Sequence, residues 1–254
     1  MRRNMETIPR FFHPPAESFF LFGPRGTGKS TFMKERFPDA YHVDLLDPET
    51  VRYFSAKPER LAEIVRGQEG KKCFVIDEIQ KVPELLAVIH QLIEGKQGYT
   101  FVLTGSSARK LKRTGVDMLG GRALLRTMHP FLASELGERF RLEEALQRGL
   151  LPLVYSSVNP GDVLRSYAAL YLREEVQMEG LVRNVGNFSR FLEAISFSHA
   201  SILNLSNVAR ECMVERKVVE GYAGILEDIL LGFRLSIFTR RAKRGLAAHP
   251  GDEE

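Results

Sequence analysis

Gly23, Gly28, Lys29 and Ser30 stand at the spacing G-x-x-x-x-G-K-S inside Gly23-Pro24-Arg25-Gly26-Thr27-Gly28-Lys29-Ser30-Thr31, directly after the apolar run Phe19–Phe22. That spacing suits the binding of phosphate. Phosphate oxygens must come close to the backbone, which excludes Cβ atoms at Gly23 and Gly28, and Gly26 adds further freedom. The amides that follow open a helix, whose unpaired N–H groups and dipole favour an anion. Lys29 can reach the β- and γ-phosphates, and the Ser30 hydroxyl can hold Mg²⁺. All nine residues of the loop, Gly23 to Thr31, are candidate nucleotide ligands. The bland alternative is a glycine-rich turn joining a strand to a helix.

A second group of polar residues follows another apolar run. Asp77-Glu78 close Cys73-Phe74-Val75-Ile76, and in open α/β sheets ligands collect at the carboxyl ends of strands. Asp77 would belong to the Mg²⁺ shell and Glu78 would polarise the water that attacks the γ-phosphate. Alone, the pair could simply be two exposed acids at a strand end. After Tyr99–Leu103 come Thr104-Gly105-Ser106-Ser107, where Thr104 or Ser106 could sense the γ-phosphate. Their plainer role is to cap the following helix.

These residues need strands to carry them. Phe19–Phe22 reads as a strand buried on both faces, continuous rather than alternating. The helix opened by Gly28 should end near Phe37, because Pro38 follows. Tyr41–Leu46 reads as a second strand. Helical material starts at Asp47-Pro48, and another helix is expected from Lys57 or Pro58 to Val65. Strands are further expected at 73–76 and 99–103, with an amphipathic helix from Pro83 to about Gly95 between them. Leu119–Leu124 leads into a fifth strand. Strands interleaved with helices predict an α/β fold with a parallel sheet. Having a strand between the phosphate loop and the acidic pair matches P-loop ATPases of the ASCE type. No N-K-x-D tetrapeptide is present, which argues against a GTPase.

Composition narrows the remaining classes. The chain has 254 residues, enough for one large domain or two smaller ones. Two cysteines far apart and six scattered histidines give no sequence support for a zinc cluster. No apolar run reaches membrane-spanning length, and the N-terminus lacks a signal-peptide core, so a cytoplasmic protein with no membrane partner is expected. Residues 1–130 carry 21 Lys/Arg against 15 Asp/Glu, and residues 131–254 carry 15 against 17. Neither half shows the broad basic face of a protein held mainly by phosphate backbones.

The motifs above, together with Val75-Ile76-Asp77-Glu78-Ile79-Gln80, Gly121-Arg122-Ala123, His129-Pro130-Phe131 through Glu135-Leu136, and Gly149-Leu150-Leu151-Pro152, resemble bacterial and archaeal AAA-type ATP-binding proteins. Those proteins carry a C-terminal domain of unknown function. The resemblance runs over nearly the whole chain. It implies ATP and Mg²⁺ as ligands, with Gly28, Lys29, Ser30 and Thr31 on the nucleotide. It also implies Asp77 and Glu78 as the hydrolytic pair and Thr104 or Ser106 as sensor. Arg122 becomes a candidate arginine finger acting on a neighbouring subunit of a homo-oligomer, with Arg109 as the fallback. A surface arginine held in a salt bridge is the other reading of Arg122. Members of that family usually continue past the position of His249-Pro250 into a nuclease-like domain, so a shortened form is expected here.

Three regions are therefore expected: an ATPase domain over 1–130, a helical lid over 131–180 and a winged-helix region over 181–254. In the lid, Ala133–Gly149 reads as helical and a long helix should run from Pro160 to about Met178. In the last region, helices are expected at Phe188–Phe197, Ser206–Cys212 and Glu215–Leu226, with an apolar wing at Gly232–Phe238 and a poorly ordered tail over 239–254. Arg216 and Lys217 at the third helix, and Arg240, Arg241, Lys243 and Arg244 after it, could contact DNA phosphates. Glu215 and Glu220 on the same helix weigh against DNA, and a protein contact is the alternative.

Overall fold

The structure is a computed structural model that describes residues 8–106, 111, 119–171 and 184–235, with side chains to Ala169 in the third segment. Five strands, β1 (Phe19–Phe22), β2 (Tyr41–Asp44), β3 (Cys73–Asp77), β4 (Thr100–Gly105) and β5 (Leu124–Thr127), form one parallel sheet in the order β2-β3-β4-β1-β5. The sheet accounts for the continuous apolar runs. Phe20 and Phe22 point to one face and Phe19 and Leu21 to the other, and both faces are covered.

On one face lie α2 (Pro48–Ala56), α3 (Arg60–Gly67) and α4 (Leu85–Glu94), which contribute Phe54, Leu61, Val65, Leu85 and Ile89 to the larger core. On the other face α1 (Lys29–Arg36) buries Met33, alongside Met128 and the partly buried Phe12 and Phe32. Asp47 caps α2 by accepting from the Glu49 and Thr50 amides. The Thr50 hydroxyl donates to the same carboxylate, and these bonds hold the Asp47 carboxyl below its ordinary range.

β4 runs two residues beyond the expected end. Leu21 and Phe22 of β1 stand opposite Thr104 and Gly105, so the ladder carries these polar residues up to the level of the phosphate loop. In space β4 lies between β1 and β3, so the loop and the acidic pair flank a third strand end.

After β5 the chain is helical: α5 (Ala133–Leu136), α6 (Leu142–Arg148), α7 (Pro152–Tyr155) and α8 (Pro160–Ser166). The expected single helical stretch over 133–149 is broken. Gly137 takes φ 53° after α5, and a short 3₁₀ turn over Gly137–Arg139 precedes α6. The long helix expected from Pro160 ends at Ser166 and passes into a π-helical turn over Tyr167–Tyr171; its continuation to Met178 lies outside the described residues.

Three further helices, α9 (Val185–Ser196), α10 (Leu205–Cys212) and α11 (Arg216–Asp228), pack around Phe188, Phe191, Val208, Cys212, Val219 and Tyr222. The cap of α10 is Asn204, whose side chain accepts from the Ser206 and Asn207 amides, so the helix starts one residue before the expected Ser206. Met213 in the left-handed conformation makes the tight turn into α11. Residues 184–235 contain no strand, Gly232–Leu235 of the expected wing included, and 236–254, with the rest of the wing and the tail, lie outside the described residues.

Candidate functional site

The loop from Gly23 to Gly28 joins the carboxyl end of β1 to α1. Gly26 and Gly28 hold φ values of 80° and 87°, which disfavour a Cβ. At Gly23 a Cβ would collide with the Met128 carbonyl, so glycine is required there by packing instead.

The carbonyls of this loop are engaged one after another. Lys29 Nζ donates to Gly23 O at 2.6 Å and to Pro24 O at 3.2 Å, and Thr27 Oγ1 donates to Pro24 O at 2.8 Å. The Tyr167 hydroxyl donates to Arg25 O at 3.1 Å, the Leu153 amide to Gly26 O at 3.1 Å, and Arg10 Nη1 to Thr27 O at 2.8 Å. These bonds fix the loop in front of the N-terminus of α1, whose amides and dipole favour an anion. Lys29 is buried, and its ammonium is held over the loop by the two carbonyls until a phosphate competes for it.

Arg10 does more than touch the loop. Its guanidinium also donates to Pro130 O at 3.4 Å, pairs with Glu135 at 3.1 Å and lies 4.9 Å from the centre of the Phe131 ring. Glu135 accepts from the Phe11 and Leu132 amides as well. Three segments distant in sequence are thereby tied to the nucleotide loop: the N-terminal approach, the exit of β5 and α5. Sequence reasoning missed Arg10, Glu135 and Tyr167 as site residues because no local pattern marks partners more than 100 residues apart.

Beside the loop and α1 opens a cavity of about 560 Å³. Its walls include Ile8, Pro9, Phe131, Pro152, Leu153 and Tyr155, with Gly26, Thr27, Gly28 and Thr31 along one side. This volume lies in the range of small-molecule sites, and an apolar chamber next to a phosphate loop has the chemistry of a nucleoside subsite.

The acidic pair meets the loop as the spacing predicts. Ser30 Oγ donates to Asp77 Oδ2 at 2.5 Å, and the buried Thr104 hydroxyl donates to Asp77 Oδ1. Thr104 Oγ1 also accepts from the Glu78 amide at 3.3 Å. These hydroxyl and carboxylate oxygens are hard ligands and fit Mg²⁺, with Ser30 and Asp77 as the residues that would hold it. Among the described residues no cluster of three or more His, Cys, Asp or Glu side chains could hold a metal by itself, as expected where substrate phosphates and water complete the shell. Glu78 sits at φ 60°, ψ 46°, a left-handed conformation that is uncommon for a residue with a side chain. Its carboxylate accepts from Gln80, which also reaches the buried Ser106 at 3.4 Å.

Ser30, Asp77, Glu78, Thr104 and Ser106 are thus brought together at one edge of the sheet. Arg122 is not with them. Leu124, two residues later, stands opposite Phe19 at the start of β1, at the far end from the loop. At about 3.3 Å per strand residue the separation is roughly 20 Å, beyond the reach of one side chain. Arg122 pairs with Glu94, whose carboxyl is held down by that hydrogen bond and charge, and donates to Gly120 O. Arg109 lies outside the described residues.

The C-terminal candidates fare unevenly. Arg216 pairs with Glu220 at 3.0 Å one helical turn on, whereas Lys217 is exposed. Arg234, also in the basic group near the end, forms a two-pronged pair with Glu227. Arg240, Arg241, Lys243 and Arg244 lie outside the described residues.

Residues 16–137 match the family model of an AAA domain, and residues 139–250 match a domain of unknown function. No curated protein matches the chain. The parallel sheet, the phosphate loop and the first match together support an AAA-type P-loop ATPase family for this part of the chain, and nucleotide binding with it. No helix among the described residues is long and apolar enough to cross a membrane.

Proposed function

We propose that the protein hydrolyses ATP to ADP and phosphate with Mg²⁺, and that the nucleotide state is passed to a partner through its C-terminal helices. The observation that carries this reading is the meeting of Ser30, Asp77, Thr104 and Glu78 beside the phosphate loop. Bound Mg²⁺ would supply positive charge to the β- and γ-phosphates. The chain's own residues do the rest. Loop amides and Lys29 take up phosphate charge, Ser30 and Asp77 fix the place of the ion, and Glu78 orients the attacking water and draws on its proton. Thr104 holds both acids, through the Asp77 carboxylate and the Glu78 amide, which is how a sensor at this strand end would act.

The helices over 131–171 serve in this reading as a lid. Support comes from Leu153 and Tyr167, which bond the loop carbonyls directly. Arg122, placed away from its own loop, could act as a finger only in a neighbouring subunit's site, and it would first have to leave Glu94. For the three-helix unit, pairing of Arg216 and Arg234 with glutamates favours a protein partner over a DNA backbone. The alternative, a slow nucleotide switch, predicts little turnover in the parent protein.

Glu78→Gln tests the assignment. ATP turnover should fall by about 10²–10³-fold while ATP binding persists. Turnover at the parent rate in this variant would remove Glu78 as the base.

A further inference from the structure

Gln80 lies two residues beyond Glu78, on a short 3₁₀ turn over Ile79–Lys81, and is buried to 7% exposure. Its Nε2 donates to Glu78 Oε2 and reaches Ser106 Oγ at 3.4 Å. Its Oε1 is buried with no hydrogen-bond partner among the described residues. It faces Gly105, where any Cβ would collide with it. A buried amide with an orphan oxygen is a poor way to fill space, and a methionine or leucine would suit an apolar core better. Reversing the amide would press an oxygen lone pair against the Glu78 carboxylate, so the carboxylate itself dictates which way the amide points.

We propose that Gln80 is a positioning residue for Glu78, aiming its carboxylate and linking it to Ser106 at the end of β4. The proposal rests on the hydrolytic reading of Glu78. Thr104 of β4 and Ser106 just beyond the strand then fix Glu78 from both sides. Thr104 takes its amide, and Ser106, through Gln80, steadies its carboxylate. Glycine at 105 leaves room for the amide between them. The backbone of Glu78 is already in the left-handed region, so its side chain needs an external guide to be held in one direction.

Gln80→Met keeps length and approximate volume but removes the donor. The experiment compares steady-state ATP turnover, equilibrium binding of a fluorescent ATP analogue with Mg²⁺, and melting temperature for the parent, Gln80→Met and Glu78→Gln. Gln80→Met should lower kcat about 10–100-fold, the scale of a misplaced reacting group, and leave nucleotide affinity within about twofold. A parent-like kcat in Gln80→Met with an inactive Glu78→Gln would overturn the positioning role alone. Loss of affinity and kcat in parallel would show that Gln80 merely supports the fold, and would overturn it too. Parent-like turnover in Glu78→Gln would instead remove the hydrolytic reading beneath it. Should Gln80→Met fail to fold, Gln80→Glu preserves the side-chain shape and sets a second carboxylate against Glu78. It should lose kcat at least as far with nucleotide still bound, and full turnover in it would overturn the proposal.

Discussion

The nucleotide half and the three-helix unit use polar side chains in opposite ways. Among the described residues, the buried polar or charged side chains are Ser18, Thr27, Lys29, Gln80, Thr104 and Ser106, and all lie within residues 18–106. Ser18 closes the sheet by accepting from the Phe101 amide; the other five ring the phosphate loop and the acidic pair. The interior of 184–235 is aromatic and aliphatic, with the Cys212 thiol inside it, pushed up by burial. Its arginines at 216 and 234 stay outside and are neutralised by Glu220 and Glu227. Burying a polar group is costly unless it is bonded, so a concentration of such groups marks where a fold has given up stability for chemistry. By that criterion the candidate site lies at the end of the sheet, and the interior of 184–235 is built for packing.

This contrast can be broken most sharply in the apolar unit. Phe191 is fully buried and packs its ring against Phe188 and Tyr222. Phe191→Ala should destabilise that unit by about 3–5 kcal/mol, read as a lowered melting transition. ATP turnover measured below that transition should hold near the parent value. If turnover instead falls in proportion, the two regions are energetically one, and the contrast dissolves.

Tyr167→Phe is the converse, a deletion of one hydroxyl at the nucleotide loop. A single net hydrogen bond is worth roughly 0.5–1.5 kcal/mol, so ATP affinity should weaken about 2–10-fold. Since the hydroxyl acts on the Arg25 carbonyl of the loop, kcat at saturating ATP should stay within about twofold. Unchanged affinity would mean that the loop keeps its shape without the Tyr167 hydroxyl.

Much of the site was legible in the sequence because its pieces are local. The loop is nine consecutive residues, and Asp77-Glu78 and Thr104 end apolar runs that only a doubly covered sheet explains. Gln80 was not legible as part of it. In sequence it stands at the end of the Val75–Gln80 motif with no role of its own, and only the extension of β4 through Gly105 encloses it. Arg10, Glu135 and Tyr167 were invisible for a different reason, since pairing across 125 and 142 residues leaves no periodic trace. The three helices of the last region were readable to within three residues at each end. Glu215 and Glu220 on its own helix already weigh against Arg216 as a phosphate ligand, and its pairing with Glu220 is the local contact that such weighing could reach.

The arginine at 234 supplies the smallest test. Hydrogen bonding by Arg234, then its charge, holds the Glu227 carboxyl below its ordinary value of about 4.5, and Glu227 raises Arg234 in return. A depressed carboxyl contributes stability above its unfolded value and loses it as pH falls through the lower, folded one. The pair is partly exposed, so its contribution at neutral pH should be under about 1 kcal/mol. Arg234→Ala should therefore lower the melting temperature slightly at pH 7, and the gap to the parent should close as the solution is taken below pH 4. ATP turnover should not change in this variant. A gap that persists in acid would mean that the Arg234 stem acts by packing rather than charge. A large loss of partner or nucleic-acid binding at pH 7, without any change in melting, would make Arg234 a contact residue, and the three-helix unit would then need its own chemistry after all.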